Sequence, residues 1–134
     1  MHKIHEEPGR GRAGSALVHV MIGTILVAAA AQLSWDTLRA AVDASVAARE
    51  GGQARALAFT AEALLRAALE EGESPESVAV EVSAGVCGFT CSQDRAGLWR
   101  ALCGGWTRSG FASRVELIFR RDGAGVEILR RTER

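Results

Sequence analysis

The residues with the widest chemical repertoire in this chain are three cysteines, Cys87, Cys91 and Cys103. A thiol can act as a nucleophile, a metal ligand or half of a disulfide. A nucleophilic thiolate needs a base beside it, usually His. The three histidines, His2, His5 and His19, all lie far from the cysteines in sequence. A structural zinc site wants four Cys or His ligands at recognisable spacing, and three cysteines alone make a poor one. A disulfide is the remaining use. Cys103 is the expected constant partner, paired with Cys87 or with Cys91, and one thiol is left over. Glu81 and Glu116 read as solvent-facing strand residues rather than an acid/base pair. No Gly-x-Gly-x-x-Gly, phosphate loop or Gly-x-Ser-x-Gly turn occurs. The residues therefore predict no enzyme, no cofactor, no metal and no small-molecule substrate.

The elements that would carry these residues change character along the chain. From Ser34 to Glu71 there is no proline, and Ala, Leu, Arg and Glu dominate, which favours helix. Leu57, Ala61, Leu64 and Ala68 recur at helical spacing, joined by Leu65 and Leu69, with Arg55, Glu62, Arg66 and Glu70 placed opposite. Gly51-Gly52 is the weak point, where one helix could become two. Gly72, with Pro75 beyond it, supplies a stop. The period then shifts to two. Val78, Val80 and Val82 predict a strand, Val115, Leu117 and Phe119 a second, and Val126 to Leu129 a third. The last two are joined by a hairpin loop over residues 121–125. Ser92 to Leu102 is expected to be a short helix, with Ser92 or Asp94 near its start. Trp99 and Phe111 read as core fillers, and Trp106 is open. The fold class expected is α+β, a long N-terminal helix packed on a small antiparallel sheet.

Ahead of this lies an apolar run, Ala16 to Leu33, that no Asp, Glu, Lys or Arg interrupts. About 20 helical residues cross the roughly 30 Å hydrocarbon core of a bilayer. Leu17, Val18, Val20, Ile22, Ile25, Leu26, Val27 and Leu33 together favour insertion by about 3 kcal/mol, opposed by His19 and Gln32. Trp35 falls where an interfacial aromatic is expected. Lys3, Arg10 and Arg12 precede the run, which predicts a cytoplasmic N-terminus and an outer C-terminal part. Cysteines outside the cytoplasm can form the disulfide that a small core would welcome. Sixteen basic residues balance sixteen acidic ones, so no nucleic-acid partner is expected from net charge.

An Arg-bearing leader, then Gly14-Ser15-Ala16-Leu17-Val18, then an apolar helix resembles the class III signal of type IV pilins and type II secretion pseudopilins. Gln53 to Leu69, with its Ala61-Glu62-Ala63 core, resembles the matching helix of PilX-type minor pilins and large pseudopilins. The opening is also similar to that of Tad-pilus pseudopilins. The resemblance covers about residues 9–71. It implies residues 1–14 as a cytoplasmic leader, 15–35 as the transmembrane half of the helix and 36–71 as its extracytoplasmic half, ahead of the small antiparallel β domain with a short inserted helix that the patterning predicts over 72–134. It implies a cut by prepilin peptidase between Gly14 and Ser15, an inner-membrane location, and other pilin-like subunits as partners. His19 stands where most pilins carry the Glu that compensates a neighbour's new N-terminal ammonium. That departure fits a minor or tip member better than a self-polymerising subunit.

Two alternatives remain open. Ala29-Ala30-Ala31 before Gln32 satisfies the small-residue rule of ordinary signal peptidase, which would release a soluble periplasmic domain. The chain can equally be a single-pass membrane interaction protein unrelated to pili.

Overall fold

The computed structural model describes residues 10–73, 76–123 and 125–134, with side chains from Gly14 onward. Lys3, Pro75 and Ala124, and the side chains of Arg10 and Arg12, lie outside the described part.

Helix α1 spans Arg10–Glu70 and is followed by five strands: β1 Val78–Val82, β2 Gly85–Gln93, β3 Trp99–Thr107, β4 Ala112–Asp122 and β5 Gly125–Glu133. The strands form one antiparallel sheet in sequential order, β1-β2-β3-β4-β5. The chain is thus α+β, as its patterning predicts. It divides into two units, one ending at Ala44 and one running from Ser45 to Arg134.

In the first unit every described side chain is exposed, including Leu17, Val20, Ile25, Leu26, Val27 and Leu33. Thr24 Oγ1 donates to the Val20 carbonyl, and Ser34 Oγ donates to the Ala30 carbonyl at 2.8 Å. These hydroxyls are satisfied by their own helix, which removes much of their cost in an apolar medium.

In the second unit one stripe of α1 lies on the sheet. Ala54, Leu57, Ala58, Ala61, Leu65 and Leu69 are buried against Cys87, Phe89, Ala101, Cys103, Val115, Leu117 and Phe119. Helix and sheet approach closely because small residues meet at Gly105. A Cβ there would lie 2.5 Å from the Ala54 carbonyl oxygen and from the Ala58 nitrogen. α1 continues through Gly51-Gly52. Each glycine costs about 1 kcal/mol, and the docked turns that follow offset this, because packing contributes more to helix stability than propensity does. The helix ends in a Schellman motif. Gly72 adopts φ 77°, its N–H donates to the Leu69 carbonyl, and the Glu73 N–H donates to the Ala68 carbonyl.

Three sequence expectations need correction. Residues 92–102 form no helix: they end β2, turn, and begin β3. Asp94 and Gly97 make that turn instead, with the Gly97 N–H on the Asp94 carbonyl and Gly97 at φ 81°. Glu62 does not point away from the sheet but is buried, whereas Leu64 is exposed. Phe111 is exposed beside the β3–β4 turn, and Trp106 is exposed too. Trp99 packs at the edge of the core, stacked on Phe119 with ring centres 6.2 Å apart.

Candidate functional site

Gly14, Ser15 and His19 lie within the first turns of α1 described with side chains. Nothing approaches the Gly14 Cβ position within 4 Å. The His19 Nδ1 lies 2.6 Å from the Ser15 carbonyl oxygen, so the imidazole, with its proton assigned to that nitrogen, donates to its own helix. It satisfies itself inside the apolar segment. It presents no carboxylate there.

The second unit is tied together by a charge network at the helix–sheet junction. Glu62 accepts from Arg66 at 2.8 Å and from Arg131 on β5 at 3.1 Å. Arg131 also holds Glu133 at 2.6 Å, and Glu133 holds Arg55 on α1 at 2.6 Å. The guanidinium groups of Arg55 and Arg131 lie 5.3 and 5.2 Å from the Phe59 ring centre, within cation–π range. Burial pushes the Glu62 carboxyl up, but the hydrogen bonds from Arg131 and Arg66 outweigh it and hold the group below its ordinary range. The Glu133 carboxyl is lowered chiefly by its bond to Arg131. The arrangement suits a latch that fixes the last strand to the helix. Sequence reasoning missed it because Glu62 and Arg131 are 69 residues apart.

The three cysteines converge on the sheet face that meets the helix, and all three are thiols here. Cys103 is opposite Phe89, so Cys87 and Cys91 sit one diagonal step to either side of it. Burial, with the charge of Glu62 and the neighbouring Cys91, pushes the Cys103 thiol up to about 12. Burial raises Cys91 as well. Such thiols stay protonated at neutral pH and are poor nucleophiles. Among the described residues no three His, Cys, Asp or Glu side chains converge to hold a metal. Glu81 is exposed on β1, and Glu116 pairs with Arg100 at 3.3 Å; they do not form a couple.

What the first unit defines is a class of surface. It is one helix long and apolar enough to cross a membrane, near the N-terminus, with its described apolar side chains exposed. No protein-family model, curated protein or solved structure matches the chain.

Proposed function

We propose that this chain is a pilin-like structural subunit, a minor pilin or pseudopilin of a type IV pilus or type II secretion-like filament or tip complex. Residues 15–35 anchor it in the inner membrane with the N-terminus in the cytoplasm. The same helix later packs against helices of partner subunits, and the sheet domain supplies lateral contacts. One observation carries the reading: a single unbroken helix exposes every large apolar side chain in its first half and docks its second half on a sheet. The Gly14-Ser15 opening supports it, since it supplies a cleavage site for prepilin peptidase at the head of that helix. The role is structural, without catalysis.

Processing should depend on Gly14. Co-expressed with a prepilin peptidase, the wild-type chain is expected to lose the mass of its leader, and Gly14→Trp to keep it. Equal processing of both, or of neither, contradicts the reading.

His19 limits self-assembly in this scheme. The ammonium of a new Ser15 terminus buried among apolar helices needs an anion, and an imidazole supplies none. Expressed without other pilin-like proteins, the chain should give membrane-embedded monomers. Filaments built from it alone would refute this.

Export also exposes the thiols to an oxidising compartment. Cys103 is then linked to Cys87 or to Cys91, which lie one diagonal step to either side of it. Non-reducing peptide mapping of envelope protein should find that link, and three free thiols there would count against export.

A further inference from the structure

The zero net charge of the chain conceals a segregation. Between Ala67 and Asp94 there are six carboxylates and no Lys or Arg, whereas Arg95 to Arg134 carries nine arginines against four carboxylates. The strand register sorts these arginines by face. Arg121 and Arg131 share the helix-side face with Phe119 and Leu117. Arg100, Arg114, Arg120 and Arg130 project from the opposite, open face, and Arg134 pairs there through the backbone with Arg114.

On that open face the side chains form rows across β3, β4 and β5. One row is Arg100, Ile118 and Arg130, the next is Leu102, Glu116 and Thr132, and the third is Gly104, Arg114 and Arg134. Arg100, Arg130, Arg134 and Arg114 thus surround Glu116. The outer rows are about 13 Å apart and the face is about 10 Å across two strand spacings. The same residues line a shallow cavity of about 500 Å³. Glu116 pairs with Arg100 at 3.3 Å. Arg114, Arg130 and Arg134 have no side-chain ion pair among the described residues.

An aromatic platform adjoins the third row. Trp106 is 41% exposed. Its six-membered ring lies over Gly104, where a Cβ would come within 2.4 Å of the ring. Gly104 therefore allows the indole to lie over the sheet instead of standing away from it.

We infer that this open face binds a single-stranded nucleic acid, with phosphates on Arg114, Arg130 and Arg134 and a base against Trp106. Guanidinium forks match phosphate oxygens in bidentate geometry. The cationic patch is open and extended, which suits a strand rather than a compact anion. An exposed indole beside it supplies the stacking surface that single-strand binders combine with a basic track. The face offers no helix to a duplex groove, and a stacked base must be unpaired. The inference is independent of the pilin-like reading.

The test is fluorescence anisotropy of a labelled oligothymidine with the full chain in neutral detergent. Binding in the micromolar range is expected, weakening with salt at a log–log slope of about −2, as about three phosphate contacts on a single strand require. The Arg114→Glu/Arg130→Glu variant should lose at least tenfold in affinity, and Trp106→Ala about tenfold. Arg95→Glu, a charge change in the β2–β3 turn, should lose less than threefold. Each variant is first checked for unchanged thermal unfolding, and Arg114→Gln/Arg130→Gln replaces the charge reversal if that variant unfolds. The inference is overturned if the oligonucleotide does not bind at millimolar protein. It is also overturned if Arg95→Glu costs as much as the paired variant. A sulfated polysaccharide or anionic vesicles binding as tightly, with Trp106→Ala without effect, would make the face a general polyanion surface and overturn the assignment to nucleic acid.

Discussion

The two halves of α1 share Ala and Leu as their staple residues and differ in what covers them. Before Ala44, Leu17, Ile25, Leu26, Val27 and Leu33 each expose more than 60% of their surface; after Ser45, Ala54, Ala58, Ala61 and Leu65 expose 1% or less. The later half has a sheet shaped to receive it, with Gly105 at the closest approach. In the earlier half every described side chain is exposed. Helical propensity is common to both, so it cannot distinguish them. Charge can: no Asp, Glu, Lys or Arg lies between Gly14 and Trp35, while Arg55, Glu62 and Arg66 frame the docked stripe. An apolar surface of this extent is costly in water.

The largest expected effect separates the halves directly. Phe119→Ala removes a fully buried ring and should destabilise the sheet domain by about 3–5 kcal/mol. Ile25→Ala should leave domain stability within about 0.5 kcal/mol. Urea unfolding of the full chain in detergent, followed by hydrogen exchange of β2 to β4, measures both. Equal losses would break the comparison. Glycines give a second contrast. Gly105→Ala places a Cβ against the α1 backbone and should cost about 1–3 kcal/mol. Gly23 has nothing within 4 Å, so Gly23→Ala should leave the domain unchanged in the same experiment.

The Glu62 latch should respond to pH. Its folded carboxyl lies below its ordinary value of 4.5, so its stabilisation is fully present above that value. It is lost as pH falls through the lowered folded value. Glu62→Gln should cost about 1.5 kcal/mol at neutral pH and flatten the acid side of the stability profile. An unchanged acid limb would show that other carboxylates govern it. The smallest effect is expected on the open face. Arg100→Ala breaks an exposed pair with Glu116 and should shift stability by at most about 0.5 kcal/mol.

The sequence made some of this architecture legible and left the rest hidden for physical reasons. The absence of proline, the Ala–Leu periodicity and Gly72 marked the long helix, apolar alternation marked β1 and β4, and the segment Val126 to Leu129 marked β5. β2 and β3 escaped notice because glycines at 85, 88, 104 and 105 interrupt their apolar alternation. All four are set by close approaches: Gly105 by α1, Gly85 and Gly88 by the neighbouring strand backbones at Trp106 and Val78, and Gly104 by the Trp106 ring two residues on. The turn signal Gly97 was present between them, but Ser92 and Asp94 read as the start of a short helix. Glu62 was misplaced because centring the apolar stripe on Leu64 rotates the helix away from Arg131. The long apolar segment was legible, since its composition is local. The arginine rows were not, because net charge averages over faces that only the strand register separates.

The most direct measurement is the N-terminal residue of the mature protein recovered from the cell envelope. The account predicts Ser15, with the apolar helix retained and the protein extracted only by detergent. Gln32 at the N-terminus of a soluble product, or an uncut chain in the membrane, would contradict it.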